Sequence, residues 1–114
     1  MASSGLVGPF NLCVEGIDVA VRLRSPGVFA LGNLDHMNRF QMNRVGRAGE
    51  DLRSSLRQLI GSDNLFKFAY TCNGQEAFEK ECELFHRFRP GGNFFHPVRP
   101  EHTHWLCPFC KNER

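Results

Sequence analysis

The segment from Gln75 to Asn93 allows little choice of structure. It reads as one amphipathic helix over about Gln75–Phe88 that stops at Pro90-Gly91-Gly92. Phe78, Leu84, Phe85 and Phe88 recur at helical spacing and form an apolar side. Proline cannot continue a helix, and glycine suits the turn that follows one. Asn73-Gly74 marks the turn before it. A helix with one apolar side needs a sheet or another helix to cover it.

The rest of the chain supplies strands. Ile17 to Leu23 alternates apolar and polar residues and predicts a strand. Ser25-Pro26-Gly27 is a turn, and Val28 to Leu31 is a short apolar run suited to a buried strand. Gly32 to Asn38 is a polar loop, and Phe40 to Val45 completes a hairpin. Asp51 is placed to cap a helix carrying Leu52, Leu56, Leu59 and Ile60 on one face, and Gly61 ends it. Leu65 to Tyr70 is a further strand. Met1 to Gly8 is small and flexible in composition, and residues 94–114 are rich in Pro, His and Cys. The expected fold is a small α+β sandwich, with a three-stranded mixed or antiparallel sheet flanked by helices and an irregular C-terminal tail.

At 114 residues the chain suits one domain. Eleven phenylalanines against one tryptophan and one tyrosine predict a Phe-rich core. The net charge of +2 does not by itself demand a polyanionic partner. The distribution is more pointed. Eleven of the 14 basic residues are arginine, and Arg39, Arg44, Arg47, Arg53 and Arg57 fall within 19 residues. The planar guanidinium fork suits phosphate, so Arg44, Arg47, Arg53 and Arg57 are candidate nucleic-acid contacts. No stretch approaches the ~20 apolar residues of a membrane span, and Met1 to Gly8 lacks the pattern of a signal peptide. The expected setting is intracellular (cytoplasmic) and reducing.

In such a setting Cys-x-x-Cys beside histidines points to metal more than to a disulfide. Cys107-Pro108-Phe109-Cys110 provides a knuckle. Cys82 and His86, one helical turn apart, share a face of the helix. Zinc takes four such ligands tetrahedrally. Cys82, His86, Cys107 and Cys110 are therefore the expected zinc set, with His96 as the rival histidine. The ion would clamp the tail onto the helix. Cys13 and Cys72 stand alone and read as ordinary thiols.

The order and residues together resemble the GIY-YIG endonuclease superfamily. Gly27-Val28-Phe29 is similar to the first signature, and Arg44-Val45-Gly46 to the second. Val45-Gly46-Arg47-Ala48, then Asp51-Leu52-Arg53, is similar to the turn and helix start of bacterial excision-repair incision nucleases. Glu76 through Glu81 to Arg89-Pro90 and Asn93 is similar to their glutamate helix and the following loop. The Cys-rich ending resembles that of small bacterial members. The resemblance implies a GIY-YIG-like domain over 25–93, an extension with a strand over 1–24, and a Cys/His-rich tail over 94–114.

The resemblance also implies a site. In the family the glutamate binds Mg²⁺ or Mn²⁺, the asparagine helps hold the site, and tyrosines and an arginine assist phosphodiester hydrolysis. That places Glu81, Asn93, Arg47, Arg44 and Phe29 at the catalytic positions, with Glu81 as the ligand for Mg²⁺. Phe29 replaces the first tyrosine and Arg44 the second, and the helix arginine falls on Ser54 or Ser55. A phenyl ring can neither give nor take a proton. The expectation is a nuclease-like domain with an altered site that binds nucleic acid, DNA rather than RNA. The alternatives are an active divalent-metal-dependent DNA endonuclease and a zinc-stabilised module for a protein partner.

Overall fold

The structure, a computed structural model, describes residues 5–93 and 96–109. It is a small α+β fold with a four-stranded antiparallel sheet and three helices. In chain order these are β1 (Val7–Asn11), α1 (Val14–Ala20), β2 (Gly27–Leu34), β3 (Phe40–Ala48), α2 (Leu52–Arg57), β4 (Leu65–Tyr70) and α3 (Gly74–Phe88). The strand order is β1-β4-β2-β3, so β3 and β1 are the edges. Among the described residues no helix is long and apolar enough to cross a membrane.

The central strand β2 explains the layering. Its side chains alternate between two cores, and both faces are buried. Phe29 and Leu31 point into one core with Ile17, Val21, Leu52, Leu56, Phe66 and Phe68, which places α1 and α2 on that face. Val28 and Ala30 point into the other with Val45, Ala77 and Leu84, which places α3 there. A strand covered on both faces has no reason to alternate with polar residues, as the apolar run Val28–Leu31 indicates.

Two expectations fail at the N-terminal end. Ile17 to Leu23 is not a strand: α1 covers Val14–Ala20. A strand would put Ile17, Val19, Val21 and Leu23 on one face. Instead Ile17 and Val21, four apart, are fully buried, while Val19 is 71% and Leu23 58% exposed. The helix starts because Cys13 Sγ accepts the Gly16 N–H at 3.4 Å, a weak counterpart of the usual oxygen cap. The sheet has four strands rather than three because Val7–Asn11, which begins inside the start Met1 to Gly8 expected to be flexible, pairs with β4. Residues 1–4 lie outside the described residues.

The other elements fall near their expected places, with local differences. β2 extends through Leu34 into the segment expected to be loop, and Asp35 shapes the turn that follows by accepting the N–H groups of Met37 and Arg39. Asp51 stands at the N-cap of α2, but its side chain makes no capping bond. The Leu52 N–H donates instead to the Ser25 carbonyl at 2.9 Å. The helix ends at Arg57, earlier than Ile60, and Ile60 stays exposed. At α3, Asn73 does more than turn the chain. Its side chain accepts the Glu76 N–H at 2.8 Å, while Glu76 accepts the Cys72 N–H at 2.6 Å. This reciprocal pair is of the capping-box kind. The helix closes at Arg89, in the left-handed conformation at φ 46°, and Pro90 prevents continuation.

Candidate functional site

Four segments far apart in sequence meet along the edge strand β3. After α3 the chain folds back on that edge. The Gly92 N–H donates to the Asn43 carbonyl at 2.7 Å. Asn93 then bonds Val45 twice: its Oδ1 accepts the Val45 N–H at 2.8 Å and its Nδ2 donates to the Val45 carbonyl at 3.2 Å. A Cβ on Gly92 would stand 2.4 Å from Arg44 Cγ and 2.7 Å from the Asn43 carbonyl, so only glycine admits this approach. On the other side Phe29 lies over Gly46, where a Cβ would stand 2.5 Å from the Phe29 ring. These contacts leave a cavity of about 420 Å³, bordered by Phe29, Arg44, Glu81, Asn93 and His96 among others.

Glu81 is the buried charged residue of the described chain, at 7% exposure. It sits in the stripe of α3 that carries Ala77, Phe78, Cys82 and Leu84. Arg47 meets it from β3, Nη1 to Oε1 at 2.6 Å. The same guanidinium donates through Nη2 to the Val98 carbonyl at 2.5 Å and lies 5.2 Å from the centroid of Phe78. Burial pushes the Glu81 carboxyl above the usual carboxylate range. Arg47 and, more weakly, His96 pull it back without reversing the shift. The carboxylate thus opens on the cavity with one side already held by a cation.

The arginines divide into two groups. Arg44 borders the cavity and lies 3.7 Å from Asp63, and Arg47 serves Glu81. Arg53 donates twice to the Val21 carbonyl, at 3.0 and 2.9 Å, and so closes the end of α1. Arg57 pairs with Asp18 at 2.7 Å. The structure therefore spends Arg53 on the backbone and Arg57 on α1, away from the cavity. Neither Arg53 nor Arg57 lines the cavity.

Three of the residues able to ligate a metal converge next to this cavity. Ligand atoms of Cys82, His96 and Cys107 lie within 4.8 Å of one another and can hold a metal ion. Cys82 is fixed by α3 and fully buried, and Cys107 is buried beside it with Phe78 and Trp105. His96 Nδ1 is 2.8 Å from the Pro97 carbonyl. A hydrogen on that nitrogen would donate to the carbonyl and leave Nε2 as the nitrogen with a free electron pair, the usual support of a ligating imidazole. The histidine in the cluster is thus His96 rather than His86. His86 shares the helix face with Cys82 as its spacing predicts, but its Nε2 is 3.2 Å from His96 Nε2, at the margin of the group. Burial, then the neighbouring His96 and Arg89, hold His86 below the usual imidazole range. Cys110 lies outside the described residues.

Sequence reasoning put Phe29, Arg44, Arg47, Glu81 and Asn93 at the catalytic positions; all but Arg47 border the cavity, and what holds them was missed. The Arg47–Glu81 pair and the Val98 carbonyl join residues 34 and 51 positions apart. One signal was available: Glu81 falls inside the apolar stripe of α3, where an unpaired carboxylate is costly. No family model, no curated protein and no solved structure matches this chain.

Proposed function

We propose that this chain is a GIY-YIG-type domain that binds DNA along the β3 edge, with a hydrolytic site altered from the superfamily pattern. One observation carries the reading. Phe29, Arg44, Glu81 and Asn93 were aligned to the superfamily from three separate stretches of sequence, and all four border one cavity. Arg44 supplies the half-exposed cation at its rim, and a guanidinium there suits a backbone phosphate.

The same geometry argues for weak chemistry. Phe29 brings no hydroxyl to the cavity. Arg47 already holds one side of Glu81, so Mg²⁺ or Mn²⁺ would have to share the carboxylate with a cation 2.6 Å from it. Arg53, the nearest arginine to the expected helix position, is occupied by the Val21 carbonyl. A second reading, an active divalent-metal-dependent endonuclease, is favoured by Glu81 facing the cavity. A divalent ion there would polarise a bound phosphate.

Zinc is the ion that fits the other cluster. Two thiolates and an imidazole are borderline-soft donors suited to it. Cys82, His96 and Cys107 would hold it, with Cys110 as the fourth donor indicated by the Cys-x-x-Cys spacing. Its contribution is a crosslink between α3 and the tail. About one zinc per chain after purification, lost in Cys107→Ser, is the expected result; a folded chain without metal rejects it.

The test of function compares branched, single-stranded and duplex DNA with wild type, Arg44→Ala and Glu81→Ala in Mg²⁺ or Mn²⁺. Binding that weakens with salt and in Arg44→Ala, without cleavage, is expected. Cleavage abolished by Glu81→Ala establishes the second reading. Absence of binding at low salt rejects both and leaves a protein-binding module.

A further inference from the structure

Two features described separately share residues. His96 contributes a ring nitrogen to the metal cluster and also borders the cavity. The next two residues, Pro97 and Val98, continue the cavity wall, and the Val98 carbonyl receives Arg47. A second route runs through aromatic contacts. Arg47 lies over Phe78, and the Phe78 ring is 6.2 Å from that of Trp105, two residues before Cys107. Of the three groups that fix the Arg47 guanidinium, Glu81 and Phe78 belong to α3. Val98 stands on the tail, and Phe78 is backed by it.

Residues 96–109 contain no helix or strand, and Val98, Leu106 and Phe109 are exposed. The tail's inward-facing residues are the buried Pro97, which lines the cavity, and Cys107 with the partly buried Trp105, both in the small cluster with Phe78 and Cys82. An ion bound to Cys82, His96 and Cys107 joins the tail to α3 at two points that bracket Val98.

We propose that metal occupancy of the Cys82–His96–Cys107 cluster controls the neighbouring cavity, by holding residues 96–98 as its wall and Arg47 on Glu81. The loaded protein has a formed wall and an ordered guanidinium. Loss of the ion releases His96 and Val98 together, Arg47 loses its carbonyl acceptor, and the cavity loses one side. A ligand that needs the formed cavity then binds more weakly. By linkage it strengthens metal binding by the same factor. The identity of that ligand, DNA, rests on the function proposed above; the control of Arg47 by metal does not.

The experiment follows both on the full chain. The Arg47 side-chain Nε–H resonance, assigned with Arg47→Lys, is recorded with Zn²⁺ and after chelation. The affinity for a fluorescent single-stranded or branched oligonucleotide is measured in the same two states. Slow hydrogen exchange at Arg47 in the zinc form, fast exchange after chelation, and DNA affinity lower by about tenfold are expected, within the usual range of coupling between sites. An Arg47 resonance unchanged in a folded, metal-free chain overturns the proposal, as does DNA binding that is equal or tighter without zinc. Released Arg47 with no DNA binding in either state upholds the control and removes DNA as the ligand. If chelation unfolds the chain, His96→Ala decides, because it weakens the hold on the ion and leaves the other proposed donors in place. Exchange at Arg47 that slows as Zn²⁺ is titrated into this variant supports the proposal, and exchange that does not respond to Zn²⁺ overturns it.

Discussion

Removing Arg47 from Glu81 gives the sharpest test of the site's energetics. Both side chains are largely out of water, at 20% and 9% exposure, and their bond is 2.6 Å. Breaking a buried pair from one side costs about 3–5 kcal/mol, because the remaining charge is left uncompensated. Arg47→Met strands the more buried partner, so the expected loss is about 3 kcal/mol, the low end because Arg47 itself keeps some solvent. Glu81→Leu should cost less, about 2 kcal/mol, because Arg47 retains the Val98 carbonyl, the Phe78 ring and partial hydration. The double variant replaces the pair by apolar side chains, and such replacement is often near neutral. A total loss of about 1–2 kcal/mol is expected for it, against about 5 if the single losses added, a coupling of about 3 kcal/mol. The assay is urea unfolding at a fixed, saturating zinc concentration, so that metal linkage is the same for each variant. For a chain of this size the Arg47→Met loss corresponds to a fall in Tm of about 12 °C. Losses that simply add across the cycle, or an Arg47→Met protein within about 0.5 kcal/mol of wild type, would refute the buried pair as described.

Three further outcomes are expected. Ile17→Ala should cost about 3 kcal/mol and Val19→Ala less than about 0.5 in the same assay; equal losses would mean that the two side chains share a buried face, as in a strand. Gly46→Ala places a methyl 2.5 Å from the Phe29 ring, and should cost about 2 kcal/mol, partly recovered when Phe29→Leu is added; no recovery would mean that the clash lies elsewhere. Asp35 is held below the ordinary aspartate range, first by the Arg39 N–H and then by that of Met37. Its pKa is depressed on folding, so its contribution is complete above the unfolded-state value and fades as pH falls through the folded one. Carboxyl NMR titration should show that lowered midpoint, and a midpoint at or above the ordinary value removes the argument.

The parts of the fold that could be read from sequence are those in which local pattern and tertiary packing agree. α3 carries its apolar stripe and its stop in one continuous run, and β2 is apolar because both of its faces are covered. α1 was misread because a stretch of seven residues satisfies either period. The choice fell to Ile17 and Val21 meeting a core made by β2, α2 and β4. β1 escaped because its stability comes from β4 rather than from its own composition. The site divides in the same way. Glu81 and Asn93 were placed by their order along the chain, but Asn93 acts through backbone groups of β3, which no side-chain pattern reveals. The choice between His86 and His96 likewise depended on the path of the tail.

The amide of Asn93 has a consequence beyond the cavity. By offering one acceptor and one donor to Val45, it imitates a peptide group of a fifth strand at the open side of β3. The opposite border of the sheet has Pro9 in β1, a residue with no N–H to offer. A sheet ending in unpaired hydrogen-bonding groups invites the strand of another molecule, and proteins commonly blunt such borders. Here one border is occupied by a side chain and the other is missing a donor. In a concentrated solution, where a small Phe-rich chain meets copies of itself most often, these two residues bear on whether it stays dispersed or begins to stack.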